Sequence, residues 1–572
     1  LFFLLLFFDS ILSIYYQIII FMIFNLYLSF FIFFWFLHIL RRTFFWLYLW
    51  QLKEYRWDRF KDELQQNPRV LVPVSAIAAL ALLLFSPLLF KVTIFDKNLF
   101  EMLVFAFCLI FGLYSLYLLF NGKWSLPRFT KKMIALSVFT ICLAVVLFMI
   151  INPVWYLMSE GINPFLAVFV LTFEILLPFF VCICVGVVQL PTFFAKRKII
   201  KKAKEKREQF KDLIVIGVTG SYGKTSTKEM LFQMLSLKYK VLKTEGNNNT
   251  EMGVAQTVLQ KLKKSHQVFV CEMAAYKKGE IKAICDIVHP KIGILTGISH
   301  QHISLFGSFK NIIQTKYELI NSLPEDGLAI FNGANKECQK LAQRTTIRKI
   351  VYSPEALVEE VEETADFIEF KLKDYPNIGK IRLNLLGRQN LENFLGALIC
   401  ALELKVPLKK IQELAPKLKP SVTAMRKTKG KNGVTIIDNS YSQNPDGVIA
   451  AIEYLKNFKG KKVVIMPCLI ELGKSAPSVH KNIGRKIGEV VDLAIITTSY
   501  YFEELKLGAQ EAGMKQSQII FSKKPKKILE KLNPYFKKEN VILIEGRVSA
   551  DIYRYLLPAT IFASQNLGGS RN

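Results

Sequence analysis

Charge is what the first third of this chain lacks. From Ser10 to Leu40 only His38 is ionisable, and apolar and aromatic residues dominate as far as about Pro191. Such a stretch has too little polar surface to face water, so a soluble domain is excluded there. Cysteine is sparse too: nine are scattered over 572 residues, Cys182 and Cys184 lie inside an apolar run, and no paired spacing occurs. A disulfide framework and a Cys-rich zinc site are excluded, and a reducing compartment fits. Carboxylates are outnumbered, with 46 Asp and Glu against 75 Lys and Arg. That excess could serve nucleic acid. The basic residues instead gather beside apolar runs, and no aromatic-interleaved basic motif follows, so no nucleic-acid partner is expected. No small-residue cleavage site follows the first apolar run either, which argues against a signal peptide.

What stands in place of charge is length. Val70 to Phe90, Leu99 to Phe120, Met133 to Ile151 and Phe165 to Leu190 can each cross roughly 30 Å of hydrocarbon as a helix of about 20 residues. Ser10 to Leu40 adds a fifth, either one long or tilted span or two tightly turned segments. Loop charges orient them. Arg41, Arg42, Lys53, Arg56, Arg59, Lys61 and Arg69 read as one cytoplasmic loop, and Lys123, Arg128, Lys131 and Lys132 as another. Residues 152–164 carry no basic residue and face out, as do residues 91–98. Everything after Leu190 is therefore expected in the cytoplasm, in a multi-pass cell-membrane protein. Glu174, inside the last span, reads as a bundle-facing or interfacial carboxylate; the alternative is a polar site in the membrane. Lys196 to Lys211, KRKIIKKAKEKREQFK, predicts a basic juxtamembrane helix drawn to anionic membrane lipids.

The soluble part opens on Ile214 to Lys228, IVIGVTGSYGKTSTK, an apolar strand running into a glycine-rich loop. Gly217, Gly220 and Gly223 let consecutive N–H groups turn onto phosphate oxygens, Lys224 adds a point charge, and Thr225 offers a hydroxyl to Mg²⁺. A helix is predicted over Ser226 to Lys238. The P-loop pattern sets its first glycine at the position of Val218; here it comes one residue earlier. Gln267 to Cys271 predicts a strand ending at Glu272, where an open α/β sheet puts a carboxylate near nucleotide-bound Mg²⁺. Lys291 to Thr296 predicts another, leading to His300 and His302 on a strand-end loop, readable as structural or as functional residues.

Six segments then occur in family order: TGSYGKTSTKE from Thr219, TEGNNNTEMG from Thr244, EMAA from Glu272, HISLFGS from His302, GRQNLENFLGA from Gly387 and DNSYSQNP from Asp438. In these the chain resembles the Mur ligase family, most of all its D-alanyl-D-alanine-adding members, over about Leu213 to Ala550. The resemblance implies an ATP-dependent carboxylate–amine ligase working through an acyl phosphate. Thr219, Gly220, Ser221, Gly223, Lys224, Thr225 and Ser226 would hold the ATP phosphates, and Thr225, Glu272 and His302 would serve Mg²⁺. Lys316 matches a lysine that the family carbamylates into a further metal ligand. Lys224, Lys316 and His302 are thereby the implied catalytic residues. Asn390 and Asn393 would lie near the adenine, and Arg426, Asp438 and Tyr441, with Asn444 nearby, would close on the nucleotide. His480 follows Glu471-Leu472-Gly473 as in the family, or is a helix-surface histidine.

Departures accompany these matches. Gly297 stands where the family has Asn, Asn439 where it has a second Asp, and Glu545-Gly546-Arg547 where it has Lys-Gly-Ser. The family's soluble domain that grips the UDP-sugar is replaced by the apolar bundle. The expected architecture is a membrane domain over 1–192, a basic linker over 193–212, a P-loop ATPase domain with a parallel sheet over 213–418, a smaller Rossmann-like domain over 420–556, and a tail over 557–572. The expected function is addition of D-alanyl-D-alanine or another amino acid to a small-molecule or lipid-linked cell-wall peptide precursor at the cytoplasmic membrane face. The alternatives are an anchored ligase of another polymer, of poly-γ-glutamate type, and a nucleotide-dependent transporter. Nothing in the sequence sets an oligomeric state.

Overall fold

The structure is a computed structural model that describes residues 2–66, 73–84, 97–156, 164–246, 248–301, 303–421, 424–441 and 444–556. The chain forms two compact units, Leu1–Ala195 and Lys196–Asn572.

In the first unit the long apolar run forms one unbroken helix, Phe2–Leu52, because no Gly or Pro interrupts it. That removes the two-segment alternative, and it moves Arg41 and Arg42 out of the expected loop onto the helix. Among the described residues, four helical segments are long and apolar enough to cross a membrane: Ser29–Leu52, Met102–Phe120, Lys131–Ile150 and Val168–Glu208. The expected span Val70 to Phe90 contributes a shorter apolar helix, Val74–Leu84; its flanks at 70–72 and 85–90 lie outside the described residues. Aromatic rings fill much of this unit's interior. Trp46 and Phe60 are fully buried, and Trp50 stacks on Phe60 with ring centres 4.1 Å apart. The basic segment is helical as far as Glu208, at the end of the helix Pro164–Glu208. At its end Arg207 donates to the carbonyls of Val288 at 2.9 Å, Phe210 at 2.7 Å and Leu213 at 3.2 Å. Those bonds satisfy helix-end and loop carbonyls just before the first strand.

The second unit starts with a six-stranded sheet: β1 Ile214–Thr219, β2 Val241–Lys243, β3 Val268–Glu272, β4 Ile292–Leu295, β5 Leu328–Asn332 and β6 Lys349–Tyr352. Every pairing is parallel and the order is β2-β3-β1-β4-β5-β6. Both faces are covered: Ile216 and Val218 point into one apolar core, Val215 and Phe269 into the other. That is why these strands read as continuous apolar runs. The order reverses beside β1, so its C-terminal loop falls at the crevice where open sheets hold ligands. A small antiparallel sheet follows, with β7 Val358–Glu363, β8 Ile368–Leu372 and β9 Lys380–Leu383. The second large sheet contains β10 Arg426–Lys429, β11 Thr435–Asn439, β12 Lys462–Met466, β13 Leu493–Ile496, β14 Ile519–Phe521 and β15 Val541–Glu545, in the order β10-β11-β15-β12-β13-β14. Only β10 runs antiparallel there.

Candidate active site

The loop leaving β1 is shaped by contacts that only glycine permits. Gly220 has φ +155°, and a Cβ on it would run into Thr296 Oγ1; Gly223 has φ +76°, and a Cβ there would strike Asn393 Oδ1. Gly217 is different from its expected role. It sits inside β1, where a Cβ would collide with Leu319 of the helix Phe309–Asn321, so it permits strand–helix packing and cradles nothing. The glycine displaced by one residue from the P-loop pattern is thus explained by packing.

Side-chain and main-chain hydrogen bonds pin the loop, whose residues Ser221 to Ser226 line the crevice. Thr219 Oγ1 donates to Met273 O at 2.8 Å, Ser221 N to Gly297 O at 2.7 Å, and Ser299 N to Ser221 Oγ at 3.0 Å. Ser226 Oγ lies 3.5 Å from Ser421 Oγ. Thr219 and Ser221 therefore fix loop shape with their side chains. The helix that follows is Lys224–Leu235, two residues earlier at its start than predicted, and no side chain caps its N-terminus. Uncapped N–H groups at a helix start suit an anion. Lys224 Nζ donates to the carbonyls of Gly220 at 2.8 Å and Ser221 at 3.1 Å, and burial holds its ammonium below the ordinary lysine range, with Glu272 opposing.

Glu272, at the end of β3, is the hub. Its Oε1 accepts from Thr225 Oγ1 at 3.1 Å and from Asn249 Nδ2 at 2.9 Å, while Oε2 is 3.1 Å from Lys228 Nζ. Its own N–H donates to Thr244 Oγ1 at 3.0 Å. Glu272 and Lys228 are both essentially inaccessible to solvent. A hard carboxylate beside a hydroxyl, at a phosphate loop, is an oxygen donor set suited to Mg²⁺. Thr244, Asn249 and Lys228 escaped notice as site residues; the first two lie in the TEGNNNTEMG segment and Lys228 in TGSYGKTSTKE, which were the available signals.

Lys316 is buried on the helix Phe309–Asn321, its Nζ 5.8 Å from the Phe306 ring centre. Burial first, and the charge of Lys224 second, bring its ammonium down to about 7. A lysine so placed is about half free amine near neutrality, the form that reacts with carbon dioxide. His302 lies outside the described residues. His300 stacks on Phe309 at 4.1 Å. Among the described residues, no group of three or more His, Cys, Asp or Glu gathers at one point.

Across from the loop, Asn393 Oδ1 accepts from Thr227 Oγ1 at 3.3 Å, and Asn390 Nδ2 donates to Leu386 O at 2.9 Å. Arg426 and Asp438 are register partners on β10 and β11. A cavity of 330 Å³ lies between the two large sheets, lined by Ser221 to Ser226, Asn390, Asn393, Asn439, Tyr441 and Asn444, among others. Glu392 and Asp446 also line it, and burial raises both carboxyls. The structure thus brings together most of the residues expected at the nucleotide.

Two departures find their reasons here. Tyr222 lays its ring where a Cβ on residue 297 would sit, with Asn335 Nδ2 donating to its hydroxyl at 3.2 Å; Gly297 is what that ring requires. Asn439 and Glu545 are register partners on β11 and β15, and Asn439 Nδ2 donates to Glu545 Oε2 at 2.7 Å. Burial raises the Glu545 carboxyl well above its ordinary range. His480 is not on a surface. Fully buried, it accepts from Leu469 N at 2.9 Å, lies 2.7 Å from Ala476 O and stacks on Tyr501.

A phosphate loop at the carboxyl edge of one parallel sheet, facing a second sheet across a cleft, defines a P-loop protein with an appended Rossmann-like domain. Residues 218–401 match the Mur ligase middle domain, and residues 425–548 the Mur ligase, glutamate ligase domain. Through these two domains the chain belongs to the Mur ligase family. UDP-N-acetylmuramoyl-tripeptide--D-alanyl-D-alanine ligase of Synechocystis is 33% identical over 275 residues, 48% of this chain and 59% of that protein. The Bacillus subtilis ligase of that name is 30% identical over 277 residues, 48% and 60% of the two chains. The chain thus spans about three-fifths of the length of these curated relatives. Among solved structures, MurF from Acinetobacter baumannii aligns with a TM-score of 0.56 and 25% identity over 65% of this chain and 80% of that one. MurF ligase from Thermotoga maritima in complex with ADP aligns with a TM-score of 0.54 and 27% identity over 65% and 84%.

Proposed function

We propose that this chain is an ATP-dependent ligase that joins an amine, D-alanyl-D-alanine or another amino acid, to a carboxylate of a cell-wall peptide precursor. The observation that carries the reading is the Thr225–Glu272–Asn249 cluster set against the loop that Lys224 folds over. The names of the similar ligases, and the ADP complex among the similar structures, support the substrate class and the nucleotide.

The loop from Gly220 to Ser226 would bind the triphosphate through main-chain N–H groups, and Lys224 would leave its resting carbonyls to meet phosphate oxygens. Thr225 and Glu272 would hold Mg²⁺, with Lys316 joining them as its carbamate and His302 as a further ligand. The metal, when bound, would neutralise charge on the phosphates. Lys228, 3.1 Å from the second oxygen of Glu272, would keep that carboxylate aimed. Asn390 and Asn393 would meet the base, and Arg426, Asp438 and Tyr441 would close on the nucleotide from the second sheet. Attack of the acceptor carboxylate on the γ-phosphate then gives an acyl phosphate and ADP; the amine displaces phosphate and leaves an amide. Catalysis in this scheme is positioning and charge neutralisation. We place the reaction at the cytoplasmic face of a membrane crossed by the apolar helices, on the strength of their length and flanking basic residues.

Mass spectrometry of cell-wall precursors in cells depleted of the protein tests the reading. Accumulation of a precursor lacking its terminal D-alanines is the expected result; an unchanged precursor pool rejects that acceptor and points to another polymer.

A further inference from the structure

Charge scarcity in the first unit makes an ionisable cluster buried among its helices informative, because ionisable groups among membrane helices are costly and tend to mark function. Glu174 is fully buried and its Oε1 meets Arg42 Nη1; the same oxygen is 3.2 Å from His38 Nε2. His38 and Arg42 are themselves almost wholly enclosed. Rings of Phe107 and Phe111 flank His38 at 6.4 and 5.3 Å.

Hydrogen accounting, with the shorter contacts taken first, favours one state of the ring. Ser115 has one hydroxyl hydrogen and gives it to Phe111 O at 2.7 Å, while Arg41 Nε donates to Ser115 Oγ at 2.9 Å. Ser115 can then only accept from His38 Nδ1, which is 3.3 Å away, so Nδ1 carries a hydrogen. A neutral ring of that tautomer would point the bare Nε2 lone pair at a carboxylate lone pair. The 3.2 Å contact is attractive only when one more proton lies between Nε2 and Oε1, as imidazolium facing carboxylate or as imidazole facing carboxylic acid.

We propose that His38 and Glu174 form a proton-binding site inside the first unit, its ligand being that one exchangeable proton. The charged and polar groups around it are Arg41 and Arg42 on its own helix, Ser75 on Val74–Leu84, where Arg42 Nη1 donates at 3.3 Å, and Ser115 on Lys97–Phe120, with Cys108 buried on that same helix. Release of the proton to water forces an exchange of bonds. His38 must turn an Nε2 hydrogen to Glu174, Nδ1 becomes an acceptor, and the Ser115 hydroxyl leaves Phe111 O to supply it. Proton occupancy is thereby coupled to a two-position rotor between helices, the kind of local switch that a proton-dependent movement of helices requires. The contacts all lie within this unit, so the inference stands apart from the proposed ligation.

Solid-state nitrogen NMR of the full chain in lipid vesicles, labelled at histidine nitrogens and assigned with His38→Gln, tests it. Between about pH 5 and about pH 9 His38 should pass from a state protonated at Nδ1 with a shared Nε2 proton to the Nε2–H tautomer, and Glu174→Gln should remove that transition. Ser115→Ala removes no charge and should lower proton affinity up to about tenfold, one unit in the midpoint; it serves should the Glu174 variant not fold. A His38 signal that stays a fixed neutral tautomer throughout, or titrates identically in Glu174→Gln and Ser115→Ala, overturns the proposal. Flotation with the vesicles checks the membrane setting separately.

Discussion

Two buried carboxylates, Glu272 and Glu174, show how differently a sequence announces its charged interior. Glu272 ends a strand whose neighbours are a phosphate loop and an Asn-rich segment, and its partners Thr225, Lys228, Thr244 and Asn249 all come from within 47 positions of it. Glu174 meets residues 132 and 136 positions away on another helix. One cluster presents hydroxyl and amide donors at the mouth of a cleft, the other shuts an ion pair and an imidazole among rings. Both follow from one rule, that a buried charge persists only with a partner, yet only the first makes a place for a ligand with phosphates.

Deleting the partner should break either cluster most severely. Glu272→Ala leaves the buried Lys228 ammonium with Glu229 alone, 3.3 Å away, at a cost of about 1–3 kcal/mol, and should also abolish ligation; thermal unfolding and product formation read the two effects. Lys224→Ala separates them. Its amine rests on loop carbonyls, so the variant should keep its melting temperature and lose at least about a hundredfold in turnover.

The loop offers a sharper comparison. Gly297→Ala should collide with Tyr222 and weaken nucleotide binding, and Tyr222→Ser should relieve most of that loss, so a double-mutant cycle in nucleotide affinity ought to give a coupling of about 1–2 kcal/mol. Additive losses would dissociate the two positions.

Lys316 brings in pH. Folding lowers its ammonium from the ordinary 10.5 to about 7, so the folded chain binds fewer protons than the unfolded one between those values, and this group's share of stability rises with pH across that window. The free amine, and with it carbamate, should be lost below about 7. Ligation should fall on that acid side and recover with added bicarbonate, and a rate indifferent to carbon dioxide would remove Lys316 from the site. The smallest effect concerns His480, whose charged form burial disfavours. Folded below its unfolded value of 6.5, it holds fewer protons than the unfolded chain, so its contribution should fade as pH drops through about 6.5. His480→Gln should flatten that dependence at a cost of about 1–2 kcal/mol.

What could be read from the residues was whatever is local. The phosphate loop is contiguous, the flanking apolar runs are continuous because both sheet faces are covered, and the ordered motifs carry the second sheet. Long-range packing was hidden. Gly217 looked like loop glycine because Leu319 is out of sight in the sequence, and His480 looked like surface because the Leu469 N–H that it accepts belongs to a turn eleven residues back. Arg41 and Arg42 looked like loop charges since nothing local shows that Glu174 waits for one of them inside the bundle. The paired exchange of Asn439 and Glu545 became intelligible only as a cross-strand contact.

The ligase account rests on phosphate release by the purified full chain. With ATP, Mg²⁺, the UDP-N-acetylmuramoyl-tripeptide and D-alanyl-D-alanine all supplied, ADP and phosphate should appear in step with amide product, and omitting either acceptor or amine should stop release. ATP turnover that proceeds at the same rate whatever carboxylate or amine is present would contradict it.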